Sequence, residues 1–214
     1  MCEWFDETVG QLLAVLDERN LSENTIVAFV VDNGWIQQTG ADRTNKGWYA
    51  DKSKRSPYDG GVRTPIMIRW PGRVAPARHE YLASSVDLAG TLLNAVHDDA
   101  TPDSQDAQGT FGDPDAVDLL AVAAGRQSPR AAVFGEIFTH DAVDVDRPAA
   151  NLMFRWCVEG DWKLIAPAES STAAELYQIT ADPHEEENLA AEHPDRVERL
   201  RSLLDAWWIP DENL

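Results

Sequence analysis

The chain is short of positive charge. Its 214 residues include 18 lysines and arginines against 37 aspartates and glutamates, for a net charge of −19. Such a balance argues against nucleic-acid binding, because phosphate backbones are held by lysine and arginine. Only two cysteines occur, Cys2 and Cys157. They are too few and too far apart for a disulfide framework or a zinc site, and they leave the redox compartment open. No run approaches the roughly 18 apolar residues of a membrane span. The opening stretch MCEWFDETVGQLLAVLDERN carries acids where a secretory leader carries bases, so no signal peptide is expected there. No internal repeat is visible. An acid-rich, lysine-poor surface suits solubility in salty surroundings.

Apolar residues are plentiful, at 43% of the chain with eight tryptophans. That is enough for one large domain or two small ones. Phe5, Val9, Leu12, Leu13 and Leu16 recur at helical spacing and predict a helix over 3–19. A strand is expected over 25–31 and another over 64–70 (TPIMIRW), both in one parallel or mixed sheet. Val86, Leu88, Leu92, Leu93 and Val96 predict a helix over 84–96, started by a serine. Residues 97–115 are acidic and turn-rich, and read as a loop. A short helix should follow over 115–124. Then the pattern changes to short strand-like runs, AAVFGEIF, NLMFRWCV, WKLIA and ELYQI, with Glu159-Gly160-Asp161 as a turn between two of them. A helix over 194–208 closes the chain, with Pro194 in its first turn and Val197, Leu200, Leu204 and Trp207 on one face. The expected division is α/β over 1–125 and an antiparallel sheet with one covering helix over 126–214.

Strand 25–31 ends on Asp32-Asn33-Gly34. This is a favoured β-turn composition. It is also a pair of hard oxygen donors, at the strand end where α/β sheets gather ligands. Two residues fall short of the six to eight oxygens calcium takes, and no EF-hand pattern is present. Three of the four lysines, Lys46, Lys52 and Lys54, lie in the following segment with Arg43, Arg55 and Arg63. A solvated loop face would look the same. Cations beside a metal site, however, are what a displaced phosphoryl or sulfuryl group requires. Gly60-Gly61 allows close backbone approach or positive φ, and Arg63 could brace this loop to the next strand.

TIVAFVVDNGW, KRSPYDGGVRTPIMIRWPGRV, SSVDLAGTLL, WKLI and ELYQITADPHEEENLA occur in this order. Together they resemble the C-terminal half of the type I, formylglycine-dependent sulfatases. VFGEIFTHDAV and FRWCVEGDWKLI are most similar to bacterial members grouped with heparan N-sulfatase-like enzymes. The resemblance implies an alkaline-phosphatase-like partial sheet followed by a small antiparallel sheet with a C-terminal helix. It implies sulfuric ester hydrolysis on a sulfated small molecule or glycan. Asp32 and Asn33 match the family's second pair of calcium ligands. Lys54, five residues before Asp59, matches the lysine that holds the substrate sulfate. Asp59 stands where the family often has glutamate.

The family's nucleophile motif, C/S-x-P-x-R, is absent, as are its first aspartate pair and its upstream histidine and lysine. The resemblance places these on an N-terminal half. It therefore implies an incomplete calcium site here, an inactive isolated chain, and a formylglycine supplied elsewhere. Family members are often extracytoplasmic. Two other readings stay open: a non-catalytic protein binding a sulfated glycan or a partner subunit, and a phospho- or phosphonate-ester hydrolase of the same superfamily. His79, His97, His184 and His193 read as surface histidines. His140 does too, although it could reach a pocket. Trp207-Trp208 read as helix packing.

Overall fold

The computed structural model describes residues 2–34, 52–100, 115–169 and 171–210. Lys46 and Arg43 lie outside them. Helix α1 runs Cys2–Glu18. Asn20 ends it in the left-handed region (φ 55°), and the Leu21 amide donates to the Leu16 carbonyl at 2.8 Å. This is the usual closure of a helix by a residue that tolerates positive φ.

Strand β1 is Val27–Val30 and strand β2 is Ile66–Arg69. They pair with each other, as expected. The pairing is antiparallel, however, with Val27 opposite Arg69 and Val30 opposite Ile66, where a parallel or mixed sheet was predicted. The cause lies in the intervening segment. A single helical turn, α2 (Asp59–Val62), sits beside the carboxyl end of β1: the Gly34 amide donates to the Gly61 carbonyl at 2.9 Å and Thr64 Oγ1 to the Val31 carbonyl at 3.1 Å. The chain thus enters β2 from the end at which it left β1, and must run back along it.

Helix α3 spans Val86–Ala100, four residues beyond the expected end. Ser84 and Asp87 form its start, the Ser84 amide donating to Asp87 Oδ2 at 2.7 Å. This is the return half of a capping box. The predicted apolar face is not the buried one. Val86, Leu92, Leu93 and Val96 are exposed, while Asp87, Thr91 and Ala95 are buried. The buried side meets polar partners. Asp87 accepts from Arg130 and from the Val117 amide, and Thr91 Oγ1 takes the Leu119 amide. The short helix α4 (Leu119–Ala123) is capped by the Asp118 carboxylate. In α1 likewise no side chain is buried; Phe5 meets the Phe29 ring at 6.0 Å between centroids.

The second layer matches expectation closely. Strands β3 (Ala132–Phe138), β4 (Leu152–Glu159), β5 (Trp162–Pro167) and β6 (Glu175–Gln178) form an antiparallel meander in that order. Gly160, at φ 57°, makes the tight β4–β5 turn, a conformation glycine adopts without penalty. Gly135 leaves room for the cross-strand Trp156 indole, which a Cβ there would meet at 2.5 Å. Helix α5 (Pro194–Trp207) packs on β4 and β5. Cys157, Leu164, Ala166, Leu176, Leu200 and Leu204 form the core, and Phe134 stacks on Trp207 at 5.3 Å.

Burial raises the Cys157 thiol to about 12, so it is an inert core group. Glu159 on β4 is held below its usual range by hydrogen bonds from Arg199 on α5, one of them 2.8 Å long. A lowered folded-state value contributes stability above the unfolded carboxylate range and loses it as pH falls through that lowered value. Glu159→Gln should therefore cost a little stability near neutrality and nothing in acid. Urea midpoints for both proteins across that range should converge as pH falls, and parallel curves would rule the linkage out.

Candidate functional site

An open pocket of about 430 Å³ lies past the carboxyl end of β1. Val31, Asn33 and Gly34 form one wall, Asp59, Gly60, Arg63 and Pro65 the next, and Pro183 the third. Three chain segments meet here because glycines let backbones touch. A Cβ on Gly34 would lie 2.8 Å from the Gly61 carbonyl carbon and collide with the Gly60 carbonyl oxygen. Gly60 and Gly61 press against the backbone of Lys52 and Ser53 in the same way. Neither has positive φ, so close approach is what these glycines provide. Gly34→Ala should cost about 1–3 kcal/mol through overpacking and lower the thermal midpoint; an unchanged midpoint would show that the contact yields freely.

Asp32 is exposed and Asn33 half-buried. Asn33 Nδ2 donates to the Gly34 carbonyl at 2.8 Å. With the amino end engaged, Oδ1 is the atom suited to a cation. Asp32 and Asn33 thus fit a hard divalent ion in donor type and fall short in number. Among the described residues no three histidine, cysteine, aspartate or glutamate side chains converge as a metal site. Lys54 is half-buried in the turn before α2. Asn33 lines the pocket; Asp32 and Lys54 do not.

Asp59 is the best-held acid at the site. Its Oδ1 takes Lys163 Nζ at 2.8 Å, and its amide donates to Glu185 Oε2 at 2.7 Å. Lys163, from β5, is fully buried and also lies 2.9 Å from Glu185 Oε1. That second contact is a charge contact without hydrogen-bond direction, since Oε1 has no bonded partner. Burial pushes the Glu185 carboxyl up, against the pull of Lys163. Glu185 itself is held at φ 55°. Lys52 donates to the Glu185 carbonyl, and its Nζ lies 4.7 Å from the Tyr58 ring and 5.3 Å from the Tyr177 ring. Both tyrosines donate to Glu175 Oε2. Burial and that carboxylate raise Tyr58 to about 12 and push Tyr177 up as well.

Several expectations change. Lys52 is spent on the aromatic pair and a carbonyl and does not face the pocket. Arg63 pairs within its own turn, with Asp59 at 3.4 Å, and does not reach the next strand. His140 is exposed and is not part of the pocket wall, in line with its reading as a surface histidine. Spacing and composition do not point to Lys163, Glu185, Glu175 or the two tyrosines. One signal was available: Lys163 sits in WKLIA, where every neighbour from Leu164 to Ala166 is buried. A lysine in such a run must find an acid.

A family model described as Sulfatase matches residues 1–98. An N-acetylgalactosamine-6-O-sulfatase of Bacteroides thetaiotaomicron is 29% identical over 94% of this chain and 40% of its own length. Human arylsulfatase A is 29% identical over 92% of this chain and 40% of its own. A solved structure, from work on metabolism of multiple glycosaminoglycans by B. thetaiotaomicron, superposes with a TM-score of 0.64 at 27% identity. It is matched over 94% of this chain and 42% of that one. The chain thus spans about two-fifths of the relatives it matches. These likenesses show that the chain is similar to sulfatases along most of its own length.

Proposed function

We propose that this chain is the portion of a sulfuric ester hydrolase that binds the sulfate end of a sulfated glycan. The observation that carries the reading is the meeting of the Asp32-Asn33-Gly34 and Tyr58-Asp59-Gly60-Gly61 turns at one open pocket, in a chain similar to sulfatases along most of its length. Lys54 would hold a sulfate oxygen through its ammonium group. Asp32 and Asn33 would give two oxygens to a calcium ion, with the remaining ligands and the formylglycine nucleophile coming from sequence outside this chain. When bound, calcium would offset the negative charge of the sulfate oxygens. Asp59, engaged by Lys163 and Arg63, keeps the turn in place. The glycan class rests on the relatives: one is an N-acetylgalactosamine-6-O-sulfatase, another belongs to glycosaminoglycan metabolism.

Sulfate release from an aryl sulfate and from a 6-sulfated N-acetylgalactosamine glycan tests this. The 214-residue chain with calcium should give none, and a longer protein carrying this sequence should turn over. Robust turnover by the chain alone would overturn the reading.

A further inference from the structure

Glu185 touches the pocket segment at two places. Its backbone carbonyl accepts from Lys52 Nζ, and its carboxylate accepts the Asp59 amide at 2.7 Å. Lys52 and Asp59 bracket residues 53–58, and Lys54 lies between them. Lys163 completes the arrangement from below. It is fully buried, and it bridges Asp59 Oδ1 at 2.8 Å and Glu185 Oε1 at 2.9 Å. Glu185 is itself 1% exposed. Both clamping residues belong to the antiparallel layer, Lys163 to β5 and Glu185 to the turn after β6. That same turn supplies Pro183 to the pocket wall. The two layers thus share a buried ionic junction through Asp59, which lines the pocket.

We propose that Lys163 and Glu185 are positioning residues. They fix segment 52–59 at both ends, and so set the place of Lys54 and of the Gly60-Gly61 backbone that follows against Asn33-Gly34. The antiparallel sheet then acts as the gauge for the site rather than as a neighbour to it. The inference rests on the proposed function only for what Lys54 does; the clamp itself does not depend on it. A buried lysine is suited to this. Its charge has no solvent alternative, so the segment it holds has one favourable position.

The test compares Glu185→Ala, Glu185→Gln and Lys163→Met in the full chain by residue-resolved amide hydrogen exchange. Glu185→Ala should speed exchange at Gly34, Asp59 and Gly61 by about tenfold or more, leaving Cys157, Leu164 and Leu200 near their original protection. Glu185→Gln should recover part of the loss at Asp59, because its side-chain carbonyl still accepts that amide. Lys163→Met should loosen the same amides. If it fails to fold, the two Glu185 variants decide alone. In the Glu185 variants, unchanged exchange at the three pocket amides, or equal loss across the core, would overturn the clamp. In the longer protein, Glu185→Ala should lower kcat/KM for a sulfate ester by about tenfold, with partial rescue by Glu185→Gln. If that protein proves inactive on sulfate esters, the functional reading fails and the exchange result still decides the clamp.

Discussion

Lys163→Met should destabilise the chain by about 3–5 kcal/mol, because it leaves buried acids without their cation. Lys163 has no exposed surface, and Asp59 and Glu185 lie within 2.9 Å of its Nζ. A folded domain holds only about 5–15 kcal/mol in reserve, so the single variant should sit near the edge of folding at ambient temperature. The triple change Lys163→Met, Asp59→Asn, Glu185→Gln removes the charges together and should cost less than the single change. Denaturant titration of the chain with each set provides the comparison. A single-variant loss below about 1 kcal/mol would place the junction among surface-like pairs and remove its structural role.

Lys54→Ala should act on turnover. In a longer protein carrying this sequence, it should lower kcat/KM by the equivalent of about 2–4 kcal/mol, by analogy with loss of one oxyanion donor. Lys54→Arg should not restore it fully, since a planar guanidinium does not reproduce a compact ammonium. Steady-state kinetics on an aryl sulfate gives the answer. An unaffected Lys54→Ala would remove the sulfate-binding role from this residue.

Local pattern carried the element order well. The β1 and β2 runs, the four-stranded meander and α5 all follow apolar spacing and turn residues, which are local properties. The β1–β2 direction did not follow, since it depends on where Gly61 docks against Gly34 across nearly thirty residues. The faces of α1 and α3 misled for a different reason. Periodicity names the side that is apolar, and the side that is buried depends on what packs there. In α3 that side meets Arg130 and the Val117 amide, so Asp87 is buried while Val96 is 68% exposed. At the site, Asp32-Asn33-Gly34 and Tyr58-Asp59-Gly60-Gly61 were legible as turns. The partners Lys163 and Glu185 were not, because they come from a sheet more than 100 residues on.

The most direct test is sulfate released from a 6-sulfated N-acetylgalactosamine glycan by a longer protein carrying this sequence, followed as calcium is removed and restored, in wild type and in Asp32→Ala. Release should be restored by calcium in the wild type and suppressed by Asp32→Ala at the same calcium. Release indifferent to both calcium and Asp32, or phosphate-ester turnover in place of sulfate release, would contradict the proposed function.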